Sequence, residues 1–171
     1  MKIGIFSSAS SRVSPSNRKL AKVIAEYLTE QGIEIVTGGS LGIPGIIAER
    51  ACELGNKTCV YSPDRDERDH HKRIDNHDLK FYNEKKFIPG FTARSLEMIK
   101  NIDGAIVLNG RIGTLSEFAI ACEEGLPIAV ITGTGGVADY LKQILKVSKK
   151  KYPKGKIFFT RIYKKAIDKL I

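Results

Sequence analysis

Apolar residues along this chain alternate between two spacings. Short apolar runs at Lys2–Phe6, Ile33–Val36, Lys57–Tyr61, Ala105–Leu108, Pro127–Thr132 and Lys156–Thr160 are bounded by polar or turn-forming residues. Runs of this length read as strands buried on both faces. Between them the apolar positions take helical spacing. Leu20, Val23, Ile24, Tyr27 and Leu28 share one face of a helix predicted over Asn17–Gln31. Further helices are predicted over Pro44–Leu54, Phe91–Asn101, Thr114–Glu124, Val137–Val147 and Arg161–Ile171. Gly32, Gly55 and Gly125 stand where three of these helices must stop. Strand and helix in alternation imply an α/β fold, a doubly wound parallel sheet flanked by helices with right-handed crossovers. The chain length of 171 suits a single domain, 1–171.

In such sheets ligands bind beyond the carboxyl ends of the strands. Three loops at that edge carry candidate chemistry. Ser7 and Ser8 follow the first strand, and Gly38-Gly39-Ser40-Leu41-Gly42-Ile43-Pro44-Gly45 follows the second. Asn109-Gly110-Arg111-Ile112-Gly113-Thr114-Leu115-Ser116-Glu117 joins the strand ending at Leu108 to the helix that continues through Phe118. A strand, a glycine turn and a helix start leave backbone N–H groups unpaired, and the helix dipole favours negative charge there. The phosphate- or nucleotide-binding candidates are therefore Ser7, Ser8, Gly38, Gly39, Ser40, Gly42, Gly45, Gly110, Arg111, Ile112, Gly113 and Thr114. Close packing of strand on helix is the alternative use of such glycines. Glu117, one turn into its helix, is either a helix-start carboxylate or a catalytic group.

The segment 62–89 breaks the rhythm. It opens with a dense mixed-charge run from Asp64 to Arg73 and is expected to be a mobile flap near the same sheet edge. His70, His71 and His77 with Asp69, Asp75 and Asp78 match no standard zinc spacing, so no metal is expected. No separate cofactor is expected either.

Charge is placed unevenly. The net charge is +9, yet residues 142–171 hold eleven basic groups against Asp168 alone. Lys142, Lys146, Lys149 and Lys150 crowd the end of one helix, where the dipole favours cations. No base-reading motif accompanies them, so a solvated surface is expected and a nucleic-acid partner is not. Cys52, Cys59 and Cys122 lie in apolar contexts without paired spacing, which fits reduced thiols in the cytoplasm. No apolar run approaches membrane-spanning length, and the first residues turn polar too soon for a signal peptide.

The loop residues carry a resemblance. The chain resembles the LOG family, also labelled "possible lysine decarboxylase", among Rossmann-like nucleotide-binding proteins. Gly110, Gly113, Thr114 and Glu117 match that family's PGGxGTxxE signature, with Asn109 in place of its proline and Arg111 in place of its glycine. Gly38, Gly39, Gly42 and Gly45 match its earlier GGGxxGLMG cluster, and the resemblance spans roughly residues 2–135. It implies hydrolysis of the N-glycosidic bond of a nucleoside 5′-monophosphate, releasing base and ribose 5-phosphate. It implies Arg94 and Glu117 as the catalytic pair, and a homodimer or larger oligomer. No lysine sits in a recognisable Schiff-base setting for decarboxylation. Related groups with this architecture carry or sense nucleotides or the molybdenum cofactor, and others process DNA. If Arg111 must take a positive φ it will be strained; otherwise its guanidinium is expected to reach a ligand.

Overall fold

The computed structural model describes residues 1–75, 79–149 and 156–171. Seven parallel strands form one sheet: β1 (Lys2–Phe6), β2 (Glu34–Thr37), β3 (Thr58–Ser62), β4 (Glu84–Phe87), β5 (Gly104–Leu108), β6 (Ile128–Ile131) and β7 (Ile157–Thr160). Their order is β4-β3-β2-β1-β5-β6-β7. The helices are α1 (Pro15–Glu30), α2 (Ile43–Glu53), α3 (Glu67–Arg73), α4 (Phe91–Lys100), α5 (Ile112–Glu123), α6 (Leu141–Ser148) and α7 (Tyr163–Asp168). This is the doubly wound, Rossmann-like arrangement that the alternation predicts.

The two-residue period of the central strands separates the two cores. Ile3 and Ile5 of β1, with Ile106 and Leu108 of β5, pack against α1, α2 and α7. Phe6, Ala105 and Val107 face the other way, against α4, α5 and α6. Each large aliphatic side chain so buried contributes about 1.5–3 kcal/mol relative to exposure. Local signals set the helix ends. Ser14 Oγ accepts the N–H of Asn17 at 3.2 Å and Pro15 begins α1, while Gly32, at φ 64°, carries the chain out of it.

The structure departs from the sequence reading chiefly over 62–89. Rather than one long flap, that stretch folds as α3, a 3-10 turn at Leu79–Phe81 and β4. β4 reads Glu-Lys-Lys-Phe and is an edge strand, so its outer side meets water and shows no apolar run. α3 has a single buried residue, His70, and hence no apolar period. The last helix is also shorter than predicted, and a 3-10 turn at Gly136–Asp139 precedes α6. Among the described residues, no helix is long and apolar enough to cross a membrane.

Candidate functional site

Strand order reverses at β1. The chain winds outward through β2, β3 and β4, then returns to the other side of β1 with β5. The crevice at such a reversal is where doubly wound sheets accept ligands. Here it opens into a cleft of about 470 Å³. Ser7 and Ser8 come from the loop after β1, Gly38, Gly39 and Ser40 from the loop after β2, and Arg111 to Thr114 from the loop after β5. Arg94 and Glu117 line it as well. Gly42, Gly45 and Gly110 are absent from its lining. A side chain at Gly42 would strike the carbonyls of Ser8 and Ser10, so this glycine lets the first two loops meet.

The two helix starts differ. At α2, the Ile43 N–H is taken by the Ser8 carbonyl at 3.3 Å and Pro44 has no N–H. Neither helix has a side-chain cap among the described residues, but α5 has no proline in its first turn, so that turn presents amide groups toward the cleft with the dipole behind them. Positive φ falls on Asn109 (52°) and Gly110 (95°), whereas Arg111 is extended at φ −130° and bears no such strain. Asn109 is held at both ends. Its Nδ2 donates to the Thr134 carbonyl at 2.7 Å, and its Oδ1 accepts the N–H of Gly110 at 2.7 Å. Ser7 Oγ donates to the Leu108 carbonyl at 2.6 Å, which leaves it only acceptor capacity.

Arg94 and Glu117 meet at the cleft wall. Arg94 Nη1 donates to Glu117 Oε1 at 2.7 Å, and the two residues are only 7% and 9% exposed. Burial pushes the Glu117 carboxyl above its usual range, against the pull of Arg94. Arg94 Nε is buried and has no hydrogen-bond partner among the described residues. Gly38 makes room for this pair, because a Cβ there would lie 2.9 Å from Arg94 Cζ.

The charged run from Asp64 supplies a part of the cleft that its composition did not reveal. Arg73 lines the cleft, and its Nε and Nη2 reach Asp64 Oδ1 and Oδ2 at 2.8 Å each. His70 is fully buried, with Nδ1 2.8 Å from Ser62 Oγ and 3.1 Å from Asp64 Oδ2. Burial, with the Arg73 guanidinium beside it, holds His70 below its usual value. Burial pulls Asp64 upward, but Arg73 and the Ser62 hydroxyl outweigh it and hold that carboxyl low. At the mouth, Phe91 and Ile112 are 62% and 80% exposed. Arg73 sits over the Phe91 ring at 5.7 Å. The two histidines of the run were the available signal, since a His in a charged helix is either exposed, as His71 is, or built into a network, as His70 is. Among the described residues, no three His, Cys, Asp or Glu groups gather as metal ligands. His77 and Asp78 lie outside the described residues.

Fold and site together define a Rossmann-like protein with a polar cleft at the strand-order reversal. The chain belongs to the SLOG cluster4 family, whose profile it matches over residues 1–167. This is a Rossmann-like group related to the LOG proteins that the signature loop resembles. The structural-genomics protein TM1055 superposes with a TM-score of 0.79 at 21% identity, covering 98% of this chain and 96% of that one. The molybdenum cofactor binding protein of Rippkaea orientalis gives 0.76 at 16% identity, with 98% and 93% coverage. DNA processing protein A of Helicobacter pylori gives 0.64 at 22%, with 99% and 80% coverage. At such identities the likeness is one of fold. No curated protein sequence matches the chain.

Proposed function

We propose that the cleft binds a nucleoside 5′-monophosphate and hydrolyses its N-glycosidic bond. The observation that carries this reading is the buried Arg94–Glu117 pair, 2.7 Å apart, beside the uncapped start of α5. The phosphate rests on the α5 amides, the Thr114 hydroxyl and Arg111, where the helix dipole and a guanidinium act together. As the bond from C1′ to the base nitrogen breaks, its electron pair leaves with the base and positive charge builds on the ribose. Glu117 stabilises that charge and takes a proton from the attacking water, whose oxygen bonds to C1′; the departing base nitrogen takes up a proton from solvent and Glu117 returns its own to solvent. A carboxyl lifted by burial is a better proton acceptor than an exposed one. The Arg94 guanidinium orients Glu117 and the sugar. The protein is read as a homodimer or larger oligomer. Its three cysteines, none in a disulfide, fit the cytoplasm. The test is release of free base and ribose 5-phosphate from a panel of nucleoside monophosphates by purified protein. Binding of these nucleotides without turnover would overturn the hydrolase.

A second reading is binding without turnover of a phosphate-bearing cofactor, as the Rippkaea orientalis fold relative is named for molybdenum cofactor. Arg111, in the place of a signature glycine, favours it by adding a cation at the cleft. Tight binding of a cofactor phosphate, with no base release from any nucleotide, distinguishes this reading from the first.

A further inference from the structure

The cleft does not end at Ser8. The same residue lines a second recess of about 300 Å³ on the far side, formed with Arg12, Ser14, Asn17, Asn109 and Thr134. Asn17 and Thr134 in turn line a third recess, which ends at Arg161. Neighbouring recesses share wall residues, Ser8 between the first two and Asn17 and Thr134 between the last two, so the three adjoin one another.

Their charge is selective. Glu117, already paired with Arg94, is the one carboxylate among the lining residues of all three recesses. Arg111, Arg12 and Arg161 stand one in each recess, and none forms an ion pair among the described residues. Residues 1–141 hold nearly equal numbers of basic and acidic groups. The cationic edge is therefore a matter of placement and not of excess. The second recess is also built rather than left over. The Thr134 carbonyl accepts Asn17 Nδ2 at 2.9 Å and Asn109 Nδ2 at 2.7 Å, tying the first turn of α1 to the loops after β5 and β6. Ser8 Oγ accepts the N–H of Ser10 at 3.3 Å, and its own hydrogen goes to no acceptor among the described residues.

We propose that the second recess is an anion subsite continuous with the cleft, and that the ligand is a nucleotide bearing a second phosphate-linked unit. The inference rests on the nucleotide reading above and names its ligand class. The first phosphate sits at the α5 start. The linked phosphate sits between Ser8, Arg12 and Asn17, where a guanidinium and hydroxyl and amide groups take its oxygens.

The test is calorimetric titration with a 5′-mononucleotide, its phosphodiester-linked dinucleotide and a ten-nucleotide single strand, with base release followed alongside. The dinucleotide binds at least about tenfold tighter than the mononucleotide, the worth of one charge-assisted phosphate contact. R12Q removes most of that ratio. The charge-matched change K22Q, at an exposed position of α1, leaves it in place. Affinity that stops rising at the dinucleotide identifies a small molecule. Affinity that climbs further with length, and loses the increment in R161Q, identifies a strand. Equal affinities, no binding of either short ligand, or a ratio unmoved by R12Q would overturn the subsite. Loss of base release with an intact, Arg12-dependent ratio would sink the hydrolase and leave the subsite standing.

Discussion

Replacing Gly38 by alanine tests how the Arg94–Glu117 pair is held. Gly38 has no positive φ, so alanine suits the backbone and the effect comes from the added methyl alone. That methyl would lie 2.9 Å from Arg94 Cζ and 3.2 Å from Nη2, and closer still to Nη1. The guanidinium has to retreat by roughly 0.5–1 Å to restore ordinary contact in a packed interior. Its 2.7 Å bond to Glu117 then stretches to roughly 3.2–3.7 Å, at or beyond the limit of a hydrogen bond. Removing one partner of a buried ion pair costs about 3–5 kcal/mol, so a displaced partner is expected to cost about 1–3 kcal/mol. In a chain of this size, Tm falls by roughly 2–4 °C for each kcal/mol. The pH dependence identifies the cause. Burial already raises Glu117 above its ordinary value of 4.5. A carboxyl raised on folding contributes stability below its unfolded pKa and loses it as pH rises through the folded pKa. With Arg94 displaced, the folded pKa rises further. The deficit of the variant is therefore smallest below pH 4.5, where Glu117 is neutral in both proteins, and grows toward pH 8. Urea unfolding of both proteins across that range measures it. A deficit that is flat with pH, or absent, would refute the claim that Gly38 exists to seat Arg94.

Four further outcomes are expected. In a turnover assay, Glu117→Gln keeps nucleotide affinity within a few fold and lowers kcat by at least about a hundredfold; unchanged kcat removes Glu117 from the chemistry. Asn109→Ala loses both side-chain bonds and keeps a positive φ, so urea unfolding should show a loss of about 2 kcal/mol. Light scattering at micromolar concentration should show a dimer or larger species, and a monomer would contradict the assembly. Single-stranded DNA should not bind measurably through the lysine-rich tail near 150 mM salt, where exposed charges are screened beyond about 8 Å. A salt-steep affinity that falls when Lys146 and Lys149 become Gln would reverse that expectation.

The central sheet was legible in the sequence because β1, β2, β3, β5 and β6 are buried on both faces and read as unbroken apolar runs. The loops after β1, β2 and β5 were legible because their glycines and serines are local signals. β4 was not. Its Lys85 is exposed, and Lys86 reaches back to the Tyr61 hydroxyl at 3.0 Å, a contact that exists only after folding. The place of Arg73 was hidden for the same reason, since its partner Asp64 lies nine residues away across the start of α3. Spacing alone could not decide between Asn109 and Arg111 as the residue at positive φ. That depended on Thr134, 25 residues on, offering both a carbonyl and a hydroxyl to Asn109. The helical reading of Lys149 and Lys150 ends at Lys149, which leaves α6 in the left-handed region; Lys150 lies outside the described residues.

The bend at Asn109 bears on how this sequence can change over time. The related signature has proline there, which holds φ near −65° and has no N–H. Asn109 has φ 52°, and its N–H donates to Thr134 Oγ1 at 2.7 Å. Proline at this one position would break the turn and remove the N–H that Thr134 Oγ1 accepts, leaving that hydroxyl only its bond to the Ile131 carbonyl at 2.9 Å. A change to proline at 109 is thus closed as a single step. It asks for a changed turn after β5 and a changed partner in the loop after β6, so residues 109 and 134 are best engineered as a pair.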